Sequence, residues 1–385
     1  MLLMRWMVAG CVALAAPFVL AAEAPAPAVP WGALNVSALR EEIARSPAEA
    51  IPALDTAPLD RAIASGEPAA VALATDQLAL RLAHLILTGC AAPKEKAGWA
   101  IADSDERLDV RPQLAAALAE GRLPAFFASL RPRHPDYAAL RSAYAAESDP
   151  ARRTQIARNM ERWRWLPHDL GPDYVIVNAA SFEASLWRGG ARIGTWKVIV
   201  GKPASPTPVF AATISGVTLN PWWDIPANIV RESVGALTRR NPKLARQRGY
   251  VWGGGHYRQR PGPNNALGLM KLAMPNPYSV YLHDTPTKNL FERDVRAFSH
   301  GCIRVGDALG FAATLLDGVR SREQIDAVLA GGKTTTVDLS QPIPVYITYF
   351  TATVRGDGQF ALMPDIYGRD ALMGDAANPA KLCAA

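Results

Sequence analysis

The sequence predicts an α+β chain, with a helical N-terminal domain over 35–165 and a mostly β, sandwich-like domain over 166–350. Three observations predict it. Up to about Arg162 the chain is rich in Ala, Leu and Arg, poor in β-branched residues, and carries apolar side chains at helical spacing. After Pro167 the composition shifts sharply to short β-rich runs punctuated by Gly and Pro, which favours an antiparallel sandwich or barrel-like sheet over alternating strand and helix. A segment of different character, 220–268, interrupts those runs, and an insertion that long in a compact β domain usually has a function or is disordered.

At the N-terminus, Met1 to about Ala22 reads as a secretory signal peptide. Arg5 supplies the basic start, Val8 to Leu20 is apolar, and Leu20-Ala21-Ala22 offers a small-residue cleavage site. That run is too short to span a bilayer, and no later apolar run of spanning length is expected. Val8-Ala9-Gly10-Cys11 also resembles a lipoprotein cleavage box, which would instead anchor the chain through an acylated Cys11. Residues 23–34 form an extended Ala/Pro linker. Processing would leave Cys90, Cys302 and Cys383, an odd number for an oxidising compartment. Cys90 and Cys383 either pair, tying the tail to the helical domain, or stay as buried or reduced thiols; the second is the expectation.

In the helical domain Leu78, Leu82, Leu85 and Ile86 fall at helical spacing, as do Leu114, Leu118 and the residues leading to Leu123. Asp55, Asp76 and Asp103 sit where helix caps are expected. His84 lies on an apolar face and reads as a core histidine, while Pro132-Arg133-His134-Pro135 is a turn. Nothing in this domain points to chemistry.

In the second domain the strand candidates are Tyr174-Val175-Ile176-Val177, Ser185-Leu186-Trp187, Trp196 to Val200, Val217-Thr218-Leu219, Val280-Tyr281-Leu282 and Val345 to Phe350. Arg188-Gly189-Gly190-Ala191 is a hairpin turn between two of them. Ala308 to Leu316 and Arg322 to Leu329 are short helical patterns, and 351–385 is a C-terminal extension. The insertion opens on Asn220-Pro221-Trp222-Trp223, continues through a helical stretch from Asn228 to about Leu237 and a basic run Arg239-Arg240-Asn241-Pro242-Lys243, and reaches a hinge-like Gly253-Gly254-Gly255. Its two tryptophans either cover a site or pack the sheet.

The formal charge of +6 suits an acidic polymer but does not specify one. Nucleic acid fits poorly, because no basic run is interleaved with aromatics.

The residues that carry chemistry are Ser299-His300-Gly301-Cys302-Ile303-Arg304-Val305. A thiol attacks a carbonyl carbon as thiolate, so it needs a base and a pocket for the oxygen that becomes negative. Gly301 permits a tight turn, from which its N–H and that of Cys302 could point into one oxyanion site. Sixteen residues before Ser299, the run Val280-Tyr281-Leu282 ends in His283, an imidazole at a strand end able to face the cysteine. The alternative is a structural cysteine with incidental histidines, yet the chain has only six histidines and two bracket this cysteine. Zinc held by His283, His300 and Cys302 lacks an obvious fourth ligand, so no metal or other cofactor is expected.

His283 followed by Ser299-His300-Gly301-Cys302-Ile303-Arg304 resembles the signature of the L,D-transpeptidase (YkuD-type) catalytic domain. Asn159-Met160-Glu161-Arg162-Trp163-Arg164-Trp165-Leu166-Pro167 resembles the opening segment of the large periplasmic subgroup typified by YcbB. So do Val200-Gly201-Lys202-Pro203 with Thr207-Pro208-Val209-Phe210, and Gly262-Pro263-Asn264-Asn265-Ala266-Leu267-Gly268. The likeness runs from about Asn159 to Asp365-Ile366-Tyr367-Gly368. The peptidoglycan-binding module that larger members insert in the helical domain has no room here, since Tyr144 passes to Asn159 through one short polar stretch.

The resemblance implies a helical scaffold domain, a β-sandwich with the cysteine in a groove, a lid over about 220–268, and a periplasmic enzyme that reworks peptidoglycan stem peptides. It further implies Cys302 as nucleophile, His283 as general acid/base, and an amide after the diamino acid of a tetrapeptide donor as the bond attacked. D-Ala leaves, and the side-chain amine of an acceptor stem resolves the thioester. His300 is expected to shape the site. Ser299, Arg304, Tyr281, Trp222 and Trp223 are the candidates to touch substrate, although Arg304 reads equally as an ion-pair member. Carbapenem acylation of Cys302 and periplasmic partners in cell-wall synthesis and cell shape also follow. A carboxypeptidase, a hydrolase detaching a protein from the wall, and a non-catalytic wall-binding scaffold are the competing readings.

Overall fold

The computed structural model describes residues 31–373; the signal-peptide segment, Cys11, Cys383 and the rest of the tail lie outside the described residues. The N-terminal periodicity becomes α1 (Ala33–Arg45), α2 (Ala57–Ser65), α3 (Pro68–Thr88), α4 (Arg111–Ala119) and α5 (Leu123–Ser129). Leu82, Leu85, Ile86, Leu114, Leu118 and Leu123 meet in one helical core. Asp55 and Asp103 accept the N–H groups of Ala57 and Asp105 at helix starts.

Several expectations for this region need correcting. With no helix breaker before Gly89, α3 runs uninterrupted, so Asp76 lies inside it and pairs with Arg111 at 3.2 Å rather than capping. His84 faces solvent beside Thr88 and is not a core residue. Helix α3 is also long and apolar enough to cross a bilayer, contrary to expectation, but its apolar side is packed into the helical core. Cys90 is disulfide-bonded instead of reduced, and Cys302 is free.

Helices α6 (Pro135–Ala146) and α7 (Pro150–Trp163) read in sequence as part of the helical domain, yet Tyr137, Leu140, Ile156, Met160 and Trp163 are buried in the β core. The junction between the two cores is polar and fully internal. Arg164 donates from Nη1 to Glu161 at 3.2 Å and from Nη2 to the Tyr137 hydroxyl at 2.8 Å and the Glu49 carbonyl at 2.5 Å. Glu161 accepts from the N–H groups of Cys90 and Ala91, at 2.7 and 2.9 Å. A buried cation held this way is expensive to unpair, which fixes the helical domain against the β domain.

The strands are β1 (Trp99–Ala100), β2 (Asp173–Asn178), β3 (Glu183–Arg188), β4 (Ala191–Gly201), β5 (Val209–Leu219), β6 (Trp223–Asp224), β7 (Tyr250–Gly253), β8 (His256–Gln259), β9 (Met270–Ala273), β10 (Leu282–His283), β11 (Ala297–Ser299), β12 (Ile303–Val305) and β13 (Thr335–Thr348). Their order, β5-β13-β2-β3-β4-β12-β10-β9, returns to β5 through β9, so of the two expected forms, sandwich or barrel-like sheet, the chain adopts the closed barrel-like one. Closure is possible because β5 is long: its last residues pair with β9 on one edge while the strand pairs with β13 on the other. The helical domain contributes β1, parallel to the start of β5. Gly189 and Gly190, at φ 56° and 79°, form the two-residue turn joining β3 and β4, as the sequence predicts.

The insertion folds as a small unit of its own. β6, β8 and β7 make a three-stranded sheet. α8 (Ala227–Ile229), a π turn (Val230–Val234), α9 (Gly235–Arg240) and α10 (Pro242–Gln247) lie within it. The Asn265 side chain donates to the carbonyls of Pro221 and Arg260, at 3.0 and 2.9 Å, clamping the unit's two ends together. Gly254 and Gly255 form the tight turn between β7 and β8, so the glycine run is a hairpin tip and not a hinge. After β12 come α11 (Ala308–Leu315) and α12 (Arg322–Ala330), as expected.

Candidate active site

Strands β10 and β12 run parallel, with Leu282 opposite Ile303 and His283 opposite Arg304. Cys302 immediately precedes β12, so this pairing brings it to the strand that ends in His283. The turn before it is braced by one side chain. Ser299 Oγ donates to the Cys302 carbonyl at 2.5 Å and accepts the Gly301 N–H at 3.0 Å. Gly301 sits at φ +115°, where a side chain would strain the backbone. From behind, Thr207 Oγ1 donates to the Gly301 carbonyl and accepts the Gly201 N–H, each at 2.9 Å. That contact explains the Val200-Gly201 and Thr207-Pro208 segments: they hold the turn.

Cys302 and His283 line one cavity of about 580 Å³. One wall is Tyr278 to Tyr281 with Ser299, His300 and Arg304; the other is the insertion, through Trp223, Ile229 and Leu267. The insertion therefore forms one wall of the cavity that holds the cysteine.

His283 is buried, and its Nδ1–H donates to the Asp284 carbonyl at 2.5 Å, leaving Nε2 as the unprotonated nitrogen. Burial pulls its pKa down to about 4, against the opposing pull of that hydrogen bond. Burial likewise pushes the Cys302 thiol up, only partly offset by the Tyr281 N–H and the cations Arg304 and Lys271. Both shifts favour neutral forms, so the resting pair is thiol and imidazole rather than thiolate and imidazolium.

The site residues expected from sequence divide as follows. Cys302, His283, Tyr281, Trp223, Ser299, His300 and Arg304 share the cavity. Trp222 does not; its ring lies 4.6 Å from the Arg258 guanidinium. Gly301 was expected to donate to an oxyanion, but its N–H is already given to Ser299, a contact invisible in the linear sequence. Ser299, expected to touch substrate, acts first as the brace. Arg304 is half-buried and among the described residues no acidic side chain pairs with it, which removes the ion-pair alternative.

Two side-chain contacts were not foreseen in the sequence. Glu232, the only acid in the insertion's helical stretch, accepts from His300 Nε2 at 2.8 Å. Asp284 Oδ2 accepts the Leu269 N–H at 2.8 Å, tying the residue after His283 to the end of the insertion. Among the described residues no group of three or more His, Cys, Asp or Glu is placed to hold a metal ion.

A free cysteine and a neutral histidine on paired strands of a closed barrel, with the insertion as one wall of their cavity, define a domain built around a single thiol. Residues 172–337 match the family model of the YkuD L,D-transpeptidase catalytic domain, and residues 33–143 match a scaffold domain. Over these residues the chain is similar to a scaffold domain followed by an L,D-transpeptidase catalytic domain. A Haemophilus influenzae protein named "Putative L,D-transpeptidase" is 31% identical over 237 residues, which are 56% of this chain and 48% of that one. The chain spans about half the length of this curated relative. Among solved structures, an L,D-transpeptidase from Mycobacterium smegmatis matches at 12% identity and TM-score 0.26, over 46% of this chain and 58% of that one. L,D-transpeptidase 3 from Mycobacterium tuberculosis, in complex with a faropenem-derived adduct, matches at 16% identity and TM-score 0.25, over 46% and 60%.

Proposed function

We propose that this chain is a periplasmic peptidoglycan L,D-transpeptidase that works through a Cys302 thioester. The observation that carries the reading is the free Cys302 thiol sharing a cavity with a His283 whose tautomer is fixed by Asp284. His283 Nε2 takes the thiol proton as sulfur attacks the donor amide, so charge separates only on reaction. The tetrahedral oxygen is received by the Cys302 N–H, since that of Gly301 is engaged. Collapse breaks the C–N bond, and His283 returns its proton to the leaving D-Ala amine. An acceptor amine then attacks the thioester, gives its proton to His283, and leaves the thiol restored. Arg304, a half-buried cation with no acidic partner among the described residues, is suited to a stem-peptide carboxylate beside the cysteine.

A disulfide at Cys90 fits an oxidising compartment and so supports periplasmic location. The test is incubation of the mature protein with purified disaccharide-tetrapeptide, followed by mass spectrometry. A dimer lacking one D-Ala is the expected product, absent with Cys302→Ala; a tripeptide monomer instead means that water resolves the thioester and the enzyme is a carboxypeptidase. Carbapenem should leave a stable mass adduct on Cys302 and none on the alanine variant.

A further inference from the structure

The chain's net charge is concentrated in one place. Of its 41 Lys and Arg, eight fall within 220–268, against two of its 35 Asp and Glu, so this segment's +6 equals that of the whole chain and the remainder is neutral. Both acids are already engaged, Asp224 with His256 and Arg258, and Glu232 with His300. Arg239, Arg240, Lys243, Arg246 and Arg248 are exposed and have no acidic side chain against them among the described residues. Beside them the fold opens a second cleft, of about 350 Å³, that shares no residue with the Cys302 cavity. It is lined by Thr238, Pro242, Arg246, Tyr250, Trp252 and Tyr257. Trp252 is 64% exposed, unusual for a side chain so apolar, with its ring held perpendicular to that of Tyr257 at 4.8 Å. The Thr238 hydroxyl bonds to the Tyr257 hydroxyl at 3.1 Å, fixing the cleft floor. No basic run in the sequence is interleaved with aromatics; the β7–β8 hairpin brings the two together in space.

We propose that this lid surface is a second binding site, for the glycan strand of peptidoglycan and the acidic stem peptides it bears. The proposal rests on the transpeptidase reading for the identity of the polymer. The exposed Trp252 ring offers a flat apolar face to the C–H side of a hexosamine, and the unpaired cations meet the carboxylates of neighbouring stems. Continuity favours this occupant over other polyanions. The same insertion walls the Cys302 cavity through Trp223 and Ile229, so a strand delivering one stem to the cysteine has to pass the lid. The site gives the chain a hold on its polymer in the absence of an inserted wall-binding module.

The test compares full-length Cys302→Ala with the same protein carrying Trp252→Ala, or the triple change Arg239→Glu, Arg240→Glu and Lys243→Glu. Co-sedimentation with purified sacculi is followed across a salt series. Each variant should bind roughly tenfold more weakly, and the triple variant should lose most of the salt dependence. In the Cys302 background, turnover of soluble disaccharide-tetrapeptide should stay within about twofold, because neither change touches the catalytic cavity. Unchanged sacculus binding in the triple variant overturns the proposal, as does retention of the parent on anionic vesicles or nucleic acid but not on sacculi. If the parent with Cys302 makes no product from soluble substrate, the transpeptidase reading fails while the sacculus result still decides the binding site.

Discussion

His300 Nε2 lies 2.8 Å from Glu232 Oε2, so the turn that carries Cys302 is hydrogen-bonded directly to the lid's π turn. Glu232 is more than half exposed, and a contact of that kind is weak enough to break and reform during turnover. It ties the insertion to the opposite wall of the Cys302 cavity.

Glu232→Ala should therefore loosen the insertion without unfolding the domain. Alkylation of Cys302 by a bulky maleimide is expected to rise roughly two- to fivefold, in line with the small value of an exposed pair. The melting temperature should hardly move. An unchanged alkylation rate would mean that the lid is held by its apolar contacts alone.

The pH profile follows from the His283 environment. An unperturbed imidazole has a pKa near 6.5, whereas burial lowers this one to about 4. The base is active when neutral, so kcat/KM should rise with pH through about 4 and already be on its plateau at pH 5.5. Alkylation of Cys302 by iodoacetamide should keep climbing above the usual thiol range, because burial raises the thiol. An acid limb centred at 6.5 or higher would contradict a neutral resting pair.

Local signals in the sequence proved the most legible. The Arg188 to Ala191 turn and the helices after Cys302 depend on a few adjacent residues and stand where the sequence puts them, whereas the strand expected over Val280-Tyr281-Leu282 is only Leu282–His283. What stayed hidden depends on pairings between distant segments. Barrel closure needs β9 to meet β5, and the engaged Gly301 N–H needs Ser299 to fold back on its own turn. The Glu232 contact joins positions 68 residues apart. Asp76 and His84 were misread for the opposite reason: local propensity suggested a cap and a core face, but the uninterrupted α3 turned both residues outward.

Ser299 offers a test of the braced turn. Ser299→Ala removes the acceptor for the Gly301 N–H and the donor to the Cys302 carbonyl, in a buried position. Leaving such groups unpaired costs about 1–3 kcal/mol. Thermal unfolding should shift down accordingly, and kcat should fall more than KM rises, because the thiol is displaced while the substrate groove is intact. Equal stability with a purely raised KM would return Ser299 to a substrate-contact role.

His134 makes the last case, since the sequence offers it only as part of a turn. It caps α6, its Nδ1 accepting the Asp136 N–H at 3.1 Å, while its ring stacks on Trp163 at 4.5 Å. Burial, reinforced by Arg192, lowers its pKa to about 3, and burial raises neighbouring Asp136 to about 6. The folded-state value of His134 lies below that of the unfolded chain, near 6.5. As pH falls through that window the unfolded state binds the extra proton, and native stability drops. His134→Phe keeps a ring against Trp163 but loses the cap, so at pH 7.5 it should be about 1 kcal/mol less stable than the parent. Each pH unit below 6.5 then costs the parent about 1.4 kcal/mol that the variant does not lose. Urea unfolding curves of the two proteins should cross between about pH 5 and 6. Curves that stay parallel down to pH 4 would mean that His134 is already protonated in the native core.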